Sequence, residues 1–151
     1  MKLAELLDSN DLDVLDHLDR QLAVPVLDGP QAQGDLIVLP HAMVPMVTAY
    51  TSRWQPVPPG GIELVRGVAG NNPHTLVADP GTCEWTLGVR DPLQLGIALF
   101  TNTAPVYLIH PEHGGSGVAP GTWLVRRQQE AGFRRERTFG QTGFRPMLVA
   151  D

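Results

Sequence analysis

Two histidines three residues apart stand at the end of an apolar run in the segment LIHPEHGGSGVAPGTW. His110 ends the run, and Glu112 and His113 follow it after Pro111. If the run is a β-strand, alternation places His110 on the same face as Leu108. His113 would lie on the opposite face of a continuous strand. A bend at Pro111 is therefore needed to bring the two imidazoles together.

A third histidine, His74, begins another apolar run in the segment GNNPHTLVAD. Three imidazoles from two turns are a typical ligand set for zinc, iron or manganese, and they leave one coordination position for water. The pattern predicts a divalent metal site with His74, His110 and His113 as ligands. Glu112 is expected to act as the fourth ligand or as a catalytic base. His41, in a loop between two prolines, is interpreted as a bystander.

A second hypothesis stays open beside the metal site. Histidines at strand ends commonly bond to backbone or solvent, and the H-x-x-H spacing has low specificity. The protein would then be a non-enzymatic interaction or structural module, in which the histidines only hold loops.

Nucleophilic catalysis has little support in the sequence. The single cysteine, Cys83, precedes Glu84, whose charge would raise the thiol pKa, so we expect an inert side chain. Ser116 lies between glycines but leads through a proline turn into a strand, whereas a nucleophile elbow leads into a helix. No phosphate-binding or dinucleotide-binding glycine motif occurs.

The composition predicts one domain built mostly of strands. The chain has 151 residues, of which 42% are apolar and 18% charged, and its 16 glycines and 14 prolines are typical of short strands joined by turns. No apolar stretch approaches the roughly 20 residues that span a bilayer. A lone cysteine and acids where a signal peptide would be apolar indicate a cytoplasmic protein.

Short runs rich in β-branched and large apolar residues recur about every ten residues after residue 32. This spacing predicts a β domain over 32–151, either a sandwich or a small barrel resembling a cupin in general architecture. The predicted strands are 35–40, 46–52, 61–69, 74–79, 84–89, 93–100, 105–110, 121–130 and 146–151.

The residues before this domain predict an acidic helical segment over 1–24. Apolar residues recur at helical spacing between Val14 and Leu22, which predicts a helix over about 10–22, with a shorter helical turn before it. His17 lies on its polar side and is given no role. This helix is a candidate surface for an unknown protein partner.

The two ends of the chain differ in charge. Residues 1–20 hold six acids against two basic residues, a balance of −4, whereas residues 126–151 hold six arginines against three acids, a balance of +3. Either these are solvated faces, or the two segments pack together. A third interpretation is a nucleic-acid surface made by Arg134, Arg135 and Arg137.

The motifs QGDLIVLP, NNPHTLVAD and HPEHGGSGVAPGTWLVRRQQE together resemble a family of small uncharacterised proteins found in phages, prophages and other mobile or bacterial gene clusters. The resemblance covers about residues 32–130. It implies a shared histidine group and no particular reaction. Family members often carry two histidines in the middle turn, and Asn72 stands here where the first would be.

Carried over by position, the resemblance also points to Gln33, Gly34 and Asp35 and to the turn at Pro120 and Gly121. It points further to Arg126, Gln128 and Glu130, which share one face of the predicted strand. This polar row is expected to orient the histidines from a second layer of contacts or to face a ligand.

Overall fold

A computed structural model describes residues 1–14, 23–66, 73–138 and 141–148, with the backbone alone described for 65–66, 129–138 and 141–148. Within these residues the chain forms two face-to-face β-sheets, two smaller two-stranded sheets and one helix. Both larger sheets remain open, each with two edge strands. The prediction of a mostly β sandwich preceded by a helix is confirmed. The described strands do not form a closed barrel, which was the alternative prediction.

The described elements are numbered along the chain. They are α1 (Leu3–Asn10), β1 (Val26–Leu27), β2 (Gln31–Gln33), β3 (Leu36–Pro40), β4 (Thr48–Ala49), β5 (Gln55–Pro56), β6 (Ile62–Arg66), β7 (Pro73–Val77), β8 (Cys83–Thr86), β9 (Val89–Arg90), β10 (Gly96–Asn102), β11 (Val106–His110), β12 (Gly114–Val118), β13 (Gly121–Arg127), β14 (Gln129–Thr138) and β15 (Gln141–Leu148). A turn of 3-10 helix spans His41–Met43.

The strands divide between a five-stranded sheet in the order β1-β12-β11-β7-β6 and a six-stranded sheet in the order β2-β3-β13-β10-β8-β5. All pairings in these sheets are antiparallel except that of β1 with β12. The pairs β4-β9 and β14-β15 form the two smaller sheets.

The main core lies between the two larger sheets. Leu76 and Leu108 from the five-stranded sheet meet Val38, Phe100 and Val125 from the six-stranded sheet, and all five are buried. Because successive side chains of a strand point to opposite faces, each of these strands contributes every second residue. Burial of these apolar faces is the main driving force that holds the sheets together.

The outer face of the five-stranded sheet is covered by α1. Leu3, Leu6 and Leu7 recur at helical spacing and pack against Val77 and Ile109. Ile109 thus lies on the outer face of β11, while its neighbours in the strand face the main core.

Helix α1 corresponds to the shorter helical turn that the sequence predicts before residue 10. It ends at Asn10, because Asp11 adopts a left-handed conformation (φ 52°) and its N–H bonds to the carbonyl of Leu7. The Asp13 carboxylate accepts a hydrogen bond from the N–H of Val14, and this local bond competes with a helix. The prediction of a helix over 10–22 is therefore wrong for its first turn, and residues 15–22 lie outside the described part.

Several predicted strands are also shorter than expected. Only Thr48–Ala49 of the run 46–52 is a strand, and the run 84–89 is divided because the Thr86 hydroxyl accepts a hydrogen bond from the N–H of Gly88 and turns the chain. Residues 67–69 and 149–151, also predicted as strand, lie outside the described residues.

In the described part of the chain, no helix combines the length and the apolar character needed to cross a membrane.

Substitution of Leu108 tests its position between the sheets. Leu108→Ala removes a fully buried side chain, so we expect a loss of about 3 kcal/mol in the free energy of unfolding. Leu93→Ala is the matched control, because Leu93 is 59% exposed and the same truncation there leaves no cavity. Urea titrations followed by tryptophan fluorescence measure both values. Equal losses would contradict the placement of Leu108.

Candidate functional site

The structure brings His74, His110 and His113 together. The ring centroids of His74 and His110 are 4.4 Å apart, and those of His110 and His113 are 4.5 Å apart. The ring centroids of His74 and His113 are 6.5 Å apart, which is less than the sum of the other two distances. The three rings therefore form a triangle and do not lie in a line. His74 and His110 are fully buried, while His113 is exposed.

A tight hairpin brings His113 back toward His110. Strands β11 and β12 pair so that His110 lies opposite Gly114, which leaves a three-residue loop that begins at Pro111. Gly114 has a φ of 79°, a left-handed value that favours glycine and is typical of such loops. The N–H of Glu112 donates to Nδ1 of His110 over 3.1 Å, and this bond fixes the orientation of the ring.

Two residues of the QGD motif complete the site from the opposite sheet. Gly34 and Asp35 form the two-residue turn between β2 and β3, and Gln33 is the last residue of β2 before it. Gly34 has a φ of 57° and Asp35 is not in the left-handed region, which indicates a type II′ turn with glycine in its first central position. Both side chains reach His74, so the turn presents two polar groups to one imidazole.

Both ring nitrogens of His74 are hydrogen-bonded to this turn. Nδ1 lies 3.0 Å from Oε1 of Gln33, and Nε2 lies 2.8 Å from Oδ1 of Asp35. The amide of Gln33 has one possible orientation, since its Nε2 donates to the carbonyl of Leu108 over 3.1 Å. Oε1 is therefore the atom that faces His74, and Nδ1 must donate to it.

The contact with Asp35 forms a buried histidine–carboxyl pair. Nε2 of His74 lies 2.8 Å from Oδ1 of Asp35, which is hydrogen-bond distance. The histidine side chain is 0% exposed and the aspartate side chain 5%. Such a pair is stable only when hydrogen bonds satisfy both partners, and Gln33 supplies the remaining bond to the ring.

His110 is held by a different kind of hydrogen bond. A backbone N–H can only donate, so Nδ1 of His110 is an unprotonated acceptor and the ring proton lies on Nε2. This neutral imidazole stands in ring contact with His74. Glu112 is exposed beside His113, at the surface end of the group.

The predicted metal ligands are close together, but their bonds do not match a metal centre. Both ring nitrogens of His74 are already hydrogen-bonded, one to Gln33 and the other to Asp35. Coordination would require it to lose a proton and one of these bonds. In the described part of the chain, no group of three or more histidine, cysteine, aspartate or glutamate side chains is arranged to hold a metal ion.

The polar row predicted on β13 does not act as a unit. Arg126 lies on the outer face with Leu124, and its Nε and Nη2 each bind an oxygen of Asp91 over 2.9 Å. The backbone N–H of Gln128 donates to the carbonyl of Asp35, so this residue supports the QGD turn through its backbone. The side chain of Glu130 lies outside the described part.

Two other residues singled out in the sequence have structural positions. His41 lies with its Nε2 2.7 Å from the carbonyl of Val47 and holds its own loop. Burial, followed by the charge of Glu84, raises the pKa of the Cys83 thiol to about 12, in agreement with an inert side chain.

The role of Gln33 and Asp35 could not be found from histidine spacing. Both are more than 35 residues from His74 in the chain and lie on the opposite sheet. The sequence feature that points to these two residues is the QGD triplet itself, in which a polar residue stands on each side of a turn glycine.

Residues 32–128 match the family described as Domain of unknown function (DUF8820). The chain belongs to the DUF8820 family. No curated protein and no solved structure matches it. The DUF8820 match contains the whole histidine site, from the QGD turn to the backbone of Gln128 that supports it. Helix α1 and all of the β14–β15 hairpin lie outside the match.

The Asp35–His74 pair of this DUF8820 protein is expected to stabilise the fold only as a pair. Asp35→Asn or His74→Gln removes one partner of a buried hydrogen-bonded pair, and each change should cost about 3 kcal/mol. The double variant should lose less than the sum of the two single losses. Urea unfolding of the four proteins measures this coupling energy, with Asp28→Asn as an exposed control. Strictly additive losses would contradict the pairing.

The Asp91–Arg126 pair predicts a pH-dependent contribution to stability. Burial by itself raises the pKa of Asp91, but the hydrogen bond from Arg126, the N–H of Leu93 and the arginine charge together hold it below its usual value. A carboxyl with a lowered pKa stabilises the fold above its unfolded-state pKa, and the contribution disappears as the pH falls through the folded-state value.

Arg126→Met removes the partner of this carboxylate. We expect the variant to be less stable than the original protein by about 3 kcal/mol at pH 7. The difference should begin to shrink below about pH 4, the ordinary carboxyl range, and should disappear at a still lower pH, where Asp91 becomes protonated in the folded protein. Thermal unfolding of both proteins between pH 7 and pH 3 provides the measurement, and a difference that does not vary with pH would contradict this role.

Proposed function

We propose that this DUF8820 protein carries a histidine-based acid–base site. His113 and Glu112 contact a small polar substrate at the surface, and His110 exchanges a proton with it or with His113. His74, Asp35 and Gln33 are positioning residues, which hold the charge and orientation of the buried rings. The reaction class is proton transfer to or from a substrate group that carries an exchangeable proton.

One observation carries this proposal. Two buried imidazoles lie in ring contact, and their hydrogen bonds differ: both nitrogens of His74 face side-chain oxygens, whereas Nδ1 of His110 accepts a backbone N–H. We infer from this difference that His74 is a cation and His110 a neutral ring. Sites in which neighbouring titratable groups are held in different protonation states are typical of acid–base catalysis. A histidine that only fixes a loop needs one bond, as His41 shows, and needs no second ring beside it.

The exposed end of the group supports access for a substrate. His113 and Glu112 belong to the three-residue loop and are both exposed, while His110 connects them to the buried pair. Imidazole is the side chain best suited to both accepting and donating protons near neutral pH. Glu112 adds a carboxylate to the same exposed loop.

The second candidate is a divalent zinc, iron or manganese site on His74, His110 and His113, with Glu112 as base or fourth ligand. The convergence of the three rings favours it, and the two bonds of His74 oppose it. Elemental analysis of purified protein separates the two candidates. Stoichiometric metal that is lost in His110→Ala and His113→Ala would support the metal site and overturn the acid–base proposal.

Two further aspects stay predictions from the sequence. We infer a cytoplasmic location from the single cysteine, which cannot form a disulfide within the chain. An association with phages or mobile elements rests on the resemblance alone. A non-enzymatic module, in which the histidines hold loops, is the outcome if the catalytic tests below fail.

Histidine-selective ¹⁵N spectra test the premise of the proposal. At neutral pH we expect His74 to show two protonated ring nitrogens and His110 to show one, on Nε2. In Asp35→Asn the signal of His74 should change to that of a singly protonated ring. A neutral His74 in the original protein would remove the basis of the acid–base assignment.

Hydrolysis of p-nitrophenyl acetate tests the chemistry without knowledge of the substrate. This activated ester is cleaved by accessible imidazole, and a paired imidazole with a general base accelerates the reaction. We expect His113→Ala to lower the rate on the order of 100-fold, and His110→Gln to lower it as well. Initial rates at 400 nm, corrected for spontaneous hydrolysis, give the values.

His41→Ala is the control for loss of an imidazole outside the site and should retain the full rate. Circular dichroism establishes that each variant is folded. If folded His113→Ala cleaves the ester as fast as the original protein, the proposal is wrong and the non-enzymatic module is preferred.

A further inference from the structure

A cavity of about 340 Å³ lies on the outer face of the five-stranded sheet, between the last turn of α1 and the ends of two strands. Val77 and Tyr107, which pair across β7 and β11, both line it. Their side chains lie on the outer face, because they alternate with Leu76 and Leu108, which face the main core. Sites for small molecules have volumes of roughly 300–1,000 Å³. The cavity is therefore large enough for a small organic ligand.

Three prolines give the cavity a rigid apolar wall. Pro59, Pro80 and Pro105 come from three separate loops and all line it. A proline ring fixes the backbone φ angle, so these loops have less freedom than others of their length. A wall that is already in place costs little conformational entropy when a ligand binds. The apolar part of a ligand would thus meet a preformed surface.

The polar side chains of the last turn of α1 have acceptors left over, and their donors are used within the helix. Nδ2 of Asn10 donates to the carbonyl of Leu6 over 2.9 Å and to Oγ of Ser9 over 3.2 Å. The hydroxyl of Ser9 donates to the same carbonyl over 3.2 Å. Because both amide hydrogens of Asn10 are engaged, the atom that Asn10 can still offer is Oδ1, which only accepts.

Asp79 brings a negative charge to the cavity. Its backbone carbonyl accepts hydrogen bonds from the N–H and the hydroxyl of Thr82, which fix the residue just beyond β7. Within the described residues its carboxylate makes no ion pair, neither with a side chain nor with the ammonium of Met1. The carbonyl end of α1 adds a partial negative charge, and its last turn contains no basic residue. These groups favour a positively charged ligand.

Tyr107 contributes an aromatic ring. The residue is half-buried, and a Cβ placed on Gly117 would lie 3.1 Å from its Cε1, so the ring packs over a strand position that has no side chain. An ammonium within about 6 Å of an aromatic ring is attracted by the negative face of the ring. A carboxylate, a free acceptor oxygen and an aromatic ring are therefore together in one preformed cavity.

We propose that this cavity binds a small protonated amine with an apolar body. The ammonium would donate to the carboxylate of Asp79 and to Oδ1 of Asn10, while the apolar body would lie among the prolines beside Tyr107. An anionic ligand is disfavoured, because its charge would have the same sign as that of Asp79. None of the described residues that line the cavity is a lysine or an arginine that could compensate.

The cavity is separate from the histidine site. His74 lies near the start of β7 and His110 at the end of β11, whereas the cavity lies at the opposite ends of both strands. It also lies on the outer face of the sheet, and none of its described lining residues is a histidine. Binding of an amine here and proton transfer at the histidines are therefore independent proposals.

An NMR titration of the ¹⁵N-labelled full chain tests the ligand class. The probe is 2-phenylethylamine, which is protonated near neutral pH. The matched compounds 2-phenylethanol and phenylacetate have the same ring but are neutral and anionic. We expect the amine to bind with a Kd on the order of 1 mM and to shift the amide signals of Ala78, Asp79 and Tyr107. The other two compounds should bind roughly tenfold more weakly or not at all, because they lack the charge-assisted bond.

Two substitutions test the groups that would hold the amine. Asp79→Asn keeps the shape of the side chain and removes its charge, and it should lower the affinity for 2-phenylethylamine on the order of tenfold. Glu84→Gln is the matched control, because it removes an exposed carboxylate from the other sheet, and it should retain the affinity. Tyr107→Leu should weaken binding several-fold, whereas Tyr107→Phe keeps the ring and should retain most of it. Circular dichroism establishes that each variant is folded.

Three outcomes would overturn the proposal. The first is an amine that binds no more tightly than 2-phenylethanol. The second is folded Asp79→Asn that binds the amine as tightly as the original protein does. The third is a set of amide shifts confined to residues away from the cavity. Each of these outcomes leaves the ester-cleavage test of the histidine site unaffected, so the two proposals can fail separately.

Discussion

A buried imidazole whose two nitrogens are both hydrogen-bonded needs two partners at fixed positions, and this requirement governs the arrangement around His74. The strand that carries His74 belongs to the five-stranded sheet, while Gln33 and Asp35 belong to the turn of a hairpin in the six-stranded sheet. The bonds therefore connect the two layers of the sandwich at one end. Apolar packing brings the sheets together without direction, whereas these bonds depend on distance and angle.

The same network fixes more than the position of His74. The Gln33 amide can accept from the ring only because its NH₂ group donates to the carbonyl of Leu108 in β11. Strand β11 continues to His110, so the residue that orients the His74 ring is bonded to the strand that carries His110. The orientation of the His74 ring thus depends on a backbone atom of the core. A low-dielectric surrounding strengthens these bonds and makes the loss of any one of them costly.

The alternation of side chains along a strand and the residue types of a turn are local properties of the sequence. The strands and turns that depend on these properties were therefore predictable. The strand 105–110, with His110 on the inner face beside Leu108, follows from residue types alone, as does the turn that brings His113 round. The end of α1 depends on the backbone conformation of a single residue, Asp11, which propensity does not reveal. Apolar periodicity therefore predicted a helical turn at Leu3–Leu7 but not the residue at which it ends.

The partners of His74 could not be predicted by such means, since they depend on which turn of one sheet lies above which strand of the other. Histidine spacing suggested metal ligands, because it identifies nitrogens that come close together and not the protons they carry. Arg126 illustrates the same limit: its strand face was predictable, but the carboxylate of Asp91 that binds it comes from a different loop.

Strand β11 also connects the interior of the sandwich with the helix on its outside. Val106, Leu108 and His110 face the other sheet, and Ile109 packs under α1, so four of its five side chains are enclosed on one side or the other. A substitution that makes an enclosed side chain larger, smaller or polar disturbs the packing of one of these two layers. Substitutions that leave both layers intact are accordingly restricted to the loop that follows, whose exposed side chains can change while the strand beneath them stays the same.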